Sequence, residues 1–186
     1  MQIIPAILTG DVQELDFLLR KIRDSKKFER VQIDFVDGVF ASNKSIRVED
    51  LPAGRQGLKF DAHLMVVEKN LTEYVDGLMG FDRVIVQMES VSRPEDFDCL
   101  ALDVHSPVAA IESYLPSLKL VNLMAIEPGR GGQKFNDEVI KKIKGLRRYE
   151  YRLCVDGGVE QRHLPILEKL GVDEVAVGAK RVLEWK

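Results

Sequence analysis

Three short stretches carry side chains that can move protons or hold cations. Gln32-Ile33-Asp34 sets an amide and a carboxylate two residues apart, Asp61-Ala62-His63-Leu64-Met65 holds an imidazole, and Val155-Asp156-Gly157-Gly158 offers a second carboxylate. Two carboxylates can serve as an acid and base pair, and carboxylates with an imidazole make a donor set for a divalent cation. In an extended chain Gln32 and Asp34 fall on the same side. A second chemistry is suggested by Glu127-Pro128-Gly129-Arg130-Gly131-Gly132-Gln133, Gly157-Gly158 and Gly178-Ala179. Glycines there let backbone N–H groups come close to an anion, and Arg130 adds positive charge. Each feature taken singly has a plainer account: an Asp before Gly ordinarily turns the chain, a lone His is ordinarily structural, and paired glycines make tight turns. Their recurrence at several separate places is what points to function.

These residues need a scaffold that gathers distant segments. Eight short apolar runs recur, Ile3 to Leu8, Arg30 to Asp34, Leu58 to Met65, Arg83 to Met88, Cys99 to Val104, Leu118 to Ile126, Tyr151 to Val155 and Glu174 to Val177, with amphipathic stretches between several of them. That alternation is the pattern of parallel βα units, and eight of them predict an α/β fold closed into a (β/α)8 TIM barrel. Asp11 is placed to cap a helix carrying Leu15, Leu18, Leu19 and Ile22 at helical spacing. Four further helices are expected at Glu68 to Met79, Pro107 to Leu115, Asn136 to Arg148 and Gln161 to Leu170. At 186 residues the chain is short for a barrel of about 250. The shortfall falls at Ser45 to Gly57, which reads as a loop around Leu51 to Gly57, at Ser92 to Asp98, and after the last strand. Some outer helices are therefore shortened or missing. In such barrels the strand C-terminal ends and following loops form the reactive face, and the loops after strands seven and eight often hold phosphate. Gln32, Asp34, His63 and Asp156 would meet at one mouth there.

Composition narrows the alternatives. A chain with 45% hydrophobic and 31% charged residues suits one globular domain spanning residues 1–186. A formal net charge of -3 argues against nucleic-acid binding, and Lys141-Lys142-Ile143-Lys144 reads as one solvated helix face. Cys99 and Cys154 lie in strand-like runs, so buried thiols in a reducing cytoplasm are expected. No apolar run reaches the ~18 residues of a membrane span. His105 and His163 are assigned to the surface, Gln87 and Glu89 to the mouth, and Trp185 to apolar surface near the C-terminus. Absent outer helices would bare apolar barrel surface, which either a homo-oligomer or a locally flattened barrel would resolve.

Beyond these readings, Ile4-Pro5-Ala6-Ile7-Leu8-Thr9, Gln32 to Gly38, Asp61 to Met65, Met124 to Phe135 and Val155 to Val159 resemble, in order and spacing, the motifs of ribulose-phosphate 3-epimerases. The resemblance implies a sugar-phosphate substrate and a divalent metal (zinc, iron, manganese or cobalt) that polarises the C2 carbonyl. It implies that Asp34 and Asp156 exchange a proton at C3 and also ligate the metal, with His63 as a further ligand and Met65 and Met124 packing around the intermediate. Gly129, Arg130, Gly131, Gly132, Gly157, Gly158, Gly178 and Ala179 would line the phosphate end. The chain departs from the family at Gln32, where the remaining ligand is a His, and an amide oxygen is the harder, weaker donor. Ala6 stands for a Ser, Val36 for a Met, Arg130 for an aromatic residue, and Gly178-Ala179 for Gly-Ser. Interconversion of ribulose and xylulose 5-phosphate is the leading expectation, with a non-catalytic sugar-phosphate-binding barrel as the alternative. A decarboxylase or hexulose-phosphate synthase of related fold would need a Lys at strand three that this chain lacks.

Overall fold

A computed structural model describes residues 1–51 and 57–185. Among them eight parallel strands follow one another round a closed barrel: β1 (Gln2–Ile7), β2 (Arg30–Val36), β3 (Lys59–Met65), β4 (Arg83–Gln87), β5 (Cys99–Leu102), β6 (Leu120–Met124), β7 (Arg152–Asp156) and β8 (Glu174–Gly178). Closure comes from β8 pairing with β1, Ala6 opposite Gly178. This is the (β/α)8 barrel expected from the apolar runs.

Period-two alternation sorts each strand into two faces. Val31, Ile33 and Phe35 of β2 point outward into the large core between barrel and outer shell. A smaller apolar set fills the interior: Ala6, Ile85, Cys99, Ala101, Leu120, Cys154 and Ala176. Both cysteines are free, buried thiols. At the strand N-terminal ends the interior is ionic. Asp61 accepts hydrogen bonds from Arg30 and Arg83, Arg83 also meets Glu174 at 2.8 Å, and Glu174 accepts from Arg152. Asp61 and Glu174 have essentially no exposed side chain, so these pairs form the floor of the barrel.

Five α-helices are present among the described residues: α1 (Val12–Ser25), α2 (Glu68–Val75), α3 (Glu138–Gly145), α4 (Leu164–Lys169) and α5 (Ala179–Leu183). Asp11 caps α1 as its sequence position suggests, accepting from the Gln13 and Glu14 N–H groups, and Leu15, Leu18, Leu19 and Ile22 are buried. α2 continues as a 3-10 turn to Leu78, and a 3-10 turn at Gln161–His163 leads into α4.

Two expectations are corrected. Pro107 to Leu115 is not an α-helix but makes 3-10 turns, at Val108–Ala110 and Leu115–Ser117. Its buried Ile111 lies three residues from Val108, a spacing that 3-10 backbone satisfies as well as α-helix, and Pro107 and Pro116 each remove a backbone donor. After β8 a helix outside the five expected ones, α5, packs against β1 and α1, only five residues long, and Trp185 beyond it rests partly buried against the outer core. Between β2 and β3 the described residues hold only the 3-10 turn Val48–Asp50, and between β4 and β5 only short 3-10 turns. The loop expected over Leu51 to Gly57 falls largely on residues 52–56, outside the described residues.

Candidate active site

Strand register brings the polar residues together. Asp34 on β2 lies opposite His63 on β3, and Met124 on β6 opposite Asp156 on β7. From across the barrel, Asp34 and Asp156 converge on one amide: Gln32 Nε2 donates to Asp34 Oδ1 and to Asp156 Oδ2, each at 2.8 Å. His63 Nδ1 lies 3.4 Å from the same two oxygens. Gln32 and His63 are fully buried beneath the mouth, whereas Asp34 and Asp156 reach the open side.

Two more amides brace this cluster. Asn122 Nδ2 donates to Asp156 Oδ2 at 3.1 Å, and the Gln87 amide meets His63 Nε2 at 3.0 Å. Gln87 Oε1 and Asn122 Oδ1 are buried with no hydrogen-bond partner among the described residues. A ring that uses Nδ1 toward a cation, or that carries both protons, presents Nε2–H outward. Turning the Gln87 amide over would give that N–H the oxygen it needs.

Environment separates the two carboxylates. Burial raises both, but His63, Gln32 and Asn122 together outweigh it at Asp156 and hold that group below the ordinary carboxylate range. At Asp34 burial, aided by the nearby Asp156 charge, wins over the His63 and Gln32 hydrogen bonds, and its pKa rises. Burial pulls His63 down, yet the hydrogen bonds and charges of Asp156 and Asp34 push it up to about 9. Two facing carboxylates of which one gives up its proton more readily are what an acid and base pair requires.

The donor set also fits a divalent cation. The His63 to carboxylate spacings of 3.4 Å equal the edge of a tetrahedron whose vertices stand about 2.1 Å from its centre, the range of Zn–N and Zn–O ligation. Asp34, His63 and Asp156 each offer one ligand atom, and these lie within 4.8 Å of one another. The terminal amide of Gln32 sits beside all three, 3.4 Å from His63 Nδ1.

Above the cluster opens a cavity of about 400 Å³. Asp34, Asp156, Met65 and Met124 line it, together with Gly129, Arg130, Gly131, Gly132, Gly157, Gly158, Gly178 and Ala179. Gly157 and Gly158 both have positive φ, 96° and 67°. A Cβ on Gly157 would lie 2.2 Å from Ile126, and one on Gly158 2.6 Å from the Phe135 nitrogen, so packing alone demands glycine at both. The loop 127–133 is closed by the Gln133 side chain, which donates to the carbonyls of Glu127 and Arg130.

The comparisons with known proteins bear on this arrangement. A model of the ribulose-phosphate 3-epimerase family matches residues 2–182. The chain belongs to that family. Among curated relatives, the ribulose-phosphate 3-epimerase of Bacillus subtilis (strain 168) is 29% identical over 200 residues, covering 96% of this chain and 91% of that protein. The one from Treponema pallidum (strain Nichols) is 28% identical over 196 residues, covering 94% and 88%. Of solved structures, the phosphoribosyl anthranilate isomerase from Thermus thermophilus superposes with a TM-score of 0.62 at 13% identity, covering 98% of this chain and 95% of that one. The tryptophan synthase α-subunit from Pyrococcus furiosus gives 0.62 at 14%, covering 96% and 87%. At such identities these two bear on the fold alone.

For this family member, sequence reading located the four residues of the cluster but missed several around them. Asn122 was legible as a polar residue in the apolar run Leu120 to Met124, on the same strand face as Met124. Lys180 and Arg181 also line the cavity. Lys180 is held by Glu14, which in turn accepts from Thr9, and Arg181 donates to the Val159 carbonyl. Glu89 does not line the cavity; it is exposed beyond the C-terminal end of β4 and accepts from the Asp103 N–H just after β5. Neither remaining histidine is unpartnered: His105 pairs with Glu127 at the surface, and His163 stacks on Phe135 at 4.2 Å between ring centres. Lys142 is not fully solvated as expected but reaches the Asp103 carbonyl.

Proposed function

We propose that this chain interconverts ribulose 5-phosphate and xylulose 5-phosphate, or a closely related ketose phosphate pair, by proton transfer at C3. The observation that carries the reading is the convergence of Asp34 from β2 and Asp156 from β7 in a cavity also lined by glycines of the loops after β6 and β7. Membership of the epimerase family supports the substrate class.

In this reading one aspartate removes the C3 proton and the other returns a proton to the opposite face, the roles exchanging with reaction direction. Asp34, His63 and Asp156, with Gln32 through its amide oxygen, would hold a divalent cation of the zinc, iron, manganese or cobalt type. Such a cation, when bound, supplies Lewis-acid polarisation of the C2 carbonyl. Gln87 orients the His63 ring, and Asn122 steadies Asp156 by the bond at 3.1 Å. Met65 and Met124 keep water from the planar carbon skeleton, and the glycine loops with Arg130 take the phosphate. Residues 1–186 would act as one catalytic domain in the cytoplasm, with self-association covering exposed apolar groups such as Phe17 and Ile166. Among the described residues no helix is long and apolar enough to cross a membrane.

The second reading, a sugar-phosphate-binding barrel without turnover, is favoured by the Gln32 NH2 group facing both carboxylates. Epimerisation of ribulose 5-phosphate by protein stripped of metal, then resupplied with zinc, manganese or iron(II), separates the two. Cation-dependent turnover that is lost in Asp156→Asn supports the epimerase. Binding of the sugar phosphate without turnover under any cation supports the second.

A further inference from the structure

A primary amide is two donors in one: its nitrogen can only give hydrogen bonds, and its oxygen can only accept them or ligate a cation. Gln32 presents the nitrogen inward, 2.8 Å from each carboxylate oxygen, where a carbonyl oxygen would be repelled. A cation among Asp34, His63 and Asp156 reverses that preference, because an amide N–H2 cannot ligate it and would be repelled by its charge.

The spacings show what the exchange entails. With the nitrogen inward, Gln32 lies closer to the two carboxylates, at 2.8 Å, than the roughly 3.4 Å edge that tetrahedral ligation sets. Its 3.4 Å distance to His63 Nδ1 already matches that edge. The end of the Gln32 side chain is therefore at the fourth vertex, in the wrong orientation for a ligand and slightly drawn in. A half-turn about its last torsion and a shift of about half an ångström outward would make it one. Terminal amide torsions are broad, so the turn itself meets no steep rotamer barrier.

We propose that Gln32 is a reversible member of the site, whose NH2 group ties Asp34 to Asp156 when no cation is present and whose oxygen becomes the fourth ligand when one binds. The inference rests on the cation-site reading above and extends it. The carboxylate pair stays assembled without metal, so cation loading is readily reversible. With three oxygen donors and one nitrogen, the site is also displaced toward harder ions such as manganese(II) at the expense of zinc.

The test follows the Gln32 side-chain amide by NMR in the full chain labelled with nitrogen-15, the signal being assigned by its disappearance in Gln32→His. In stripped protein the NH2 protons should exchange with water at least about tenfold more slowly than those of exposed glutamines, because both are held by buried acceptors. One equivalent of zinc should move the resonance and remove that difference. Calorimetric titration of both proteins should show Gln32→His binding zinc about tenfold or more tightly than the native chain, with a smaller gain for manganese. An amide signal unchanged under one bound equivalent, rapid exchange in stripped protein, or equal zinc affinity of the two proteins would each overturn the proposal. If Gln32→His does not fold, Gln32→Met, of similar volume and without a side-chain amide, supplies the assignment and the native amide response decides. An intact amide response in a protein inactive on ribulose 5-phosphate would sink the substrate reading and leave this one standing.

Discussion

At the scale of single residues, the site is two carboxylates held apart in their proton affinity by unequal neighbours. Asp34→Asn and Asp156→Asn should each lower kcat by about 100-fold or more while the folded spectrum is retained, since each removes one proton carrier. Asn122→Ala acts through Asp156: losing the 3.1 Å bond should lower kcat by about three- to tenfold with KM little changed. Steady-state kinetics on the two substrate directions checks both. Asp34, His63 and Asp156 were legible because each ends or nearly ends a strand, where residue type and barrel geometry together suggest a role. Gln87, expected at the mouth, is instead fully buried against His63, and Asn122 stood out only as a polar residue in an apolar run, because a buried amide carries no sequence signal of what it braces.

At the scale of elements, the strands were more legible than the helices. Runs such as Val31 to Phe35 and Val84 to Val86 can be little else than buried strands, whereas α5 is five residues long, too short to show a period. The loops are fixed by specific contacts that no pattern announces. Asp37, just after β2, accepts hydrogen bonds from the N–H groups of Val39 and Phe40 and from Val67 and Asn70 after β3, fastening two mouth loops together. Burial raises its pKa, but these four donors more than offset that and leave it below the ordinary value. A carboxylate lowered on folding contributes stability above its unfolded pKa of about 3.9 and loses it as pH falls through the folded value. Through the hydrogen bonds it weakens, Asp37→Asn should cost about 1–2 kcal/mol at neutral pH, and the native chain's advantage should fade as pH drops below the unfolded value and through the lower folded one. Urea melts of the pair between pH 7 and 2.5 measure this. Leu15→Ala, at a fully buried position of α1, should cost about 2–5 kcal/mol with activity per folded molecule unchanged.

At the scale of the whole molecule, the barrel separates a reactive end from a structural end. Among the described residues α-helices follow β1, β3, β6, β7 and β8, whereas only 3-10 turns link β2 to β3, β4 to β5 and β5 to β6, which shortens the chain around the eight strands. The floor is where a single change would spread furthest. Asp61 contacts arginines from β2 and β4, so Asp61→Asn would leave buried guanidinium charge short of its partner and should cost about 3–5 kcal/mol in a thermal or urea melt. The same floor has a kinetic meaning. Ion pairs fill the strand N-terminal ends, so among the described residues the cavity opens toward the strand C-terminal ends, and in the proposed reaction both epimers would share that face. Each is then a competitive inhibitor of the other's admission, and net flux through such a cup is governed by the ratio of their concentrations outside.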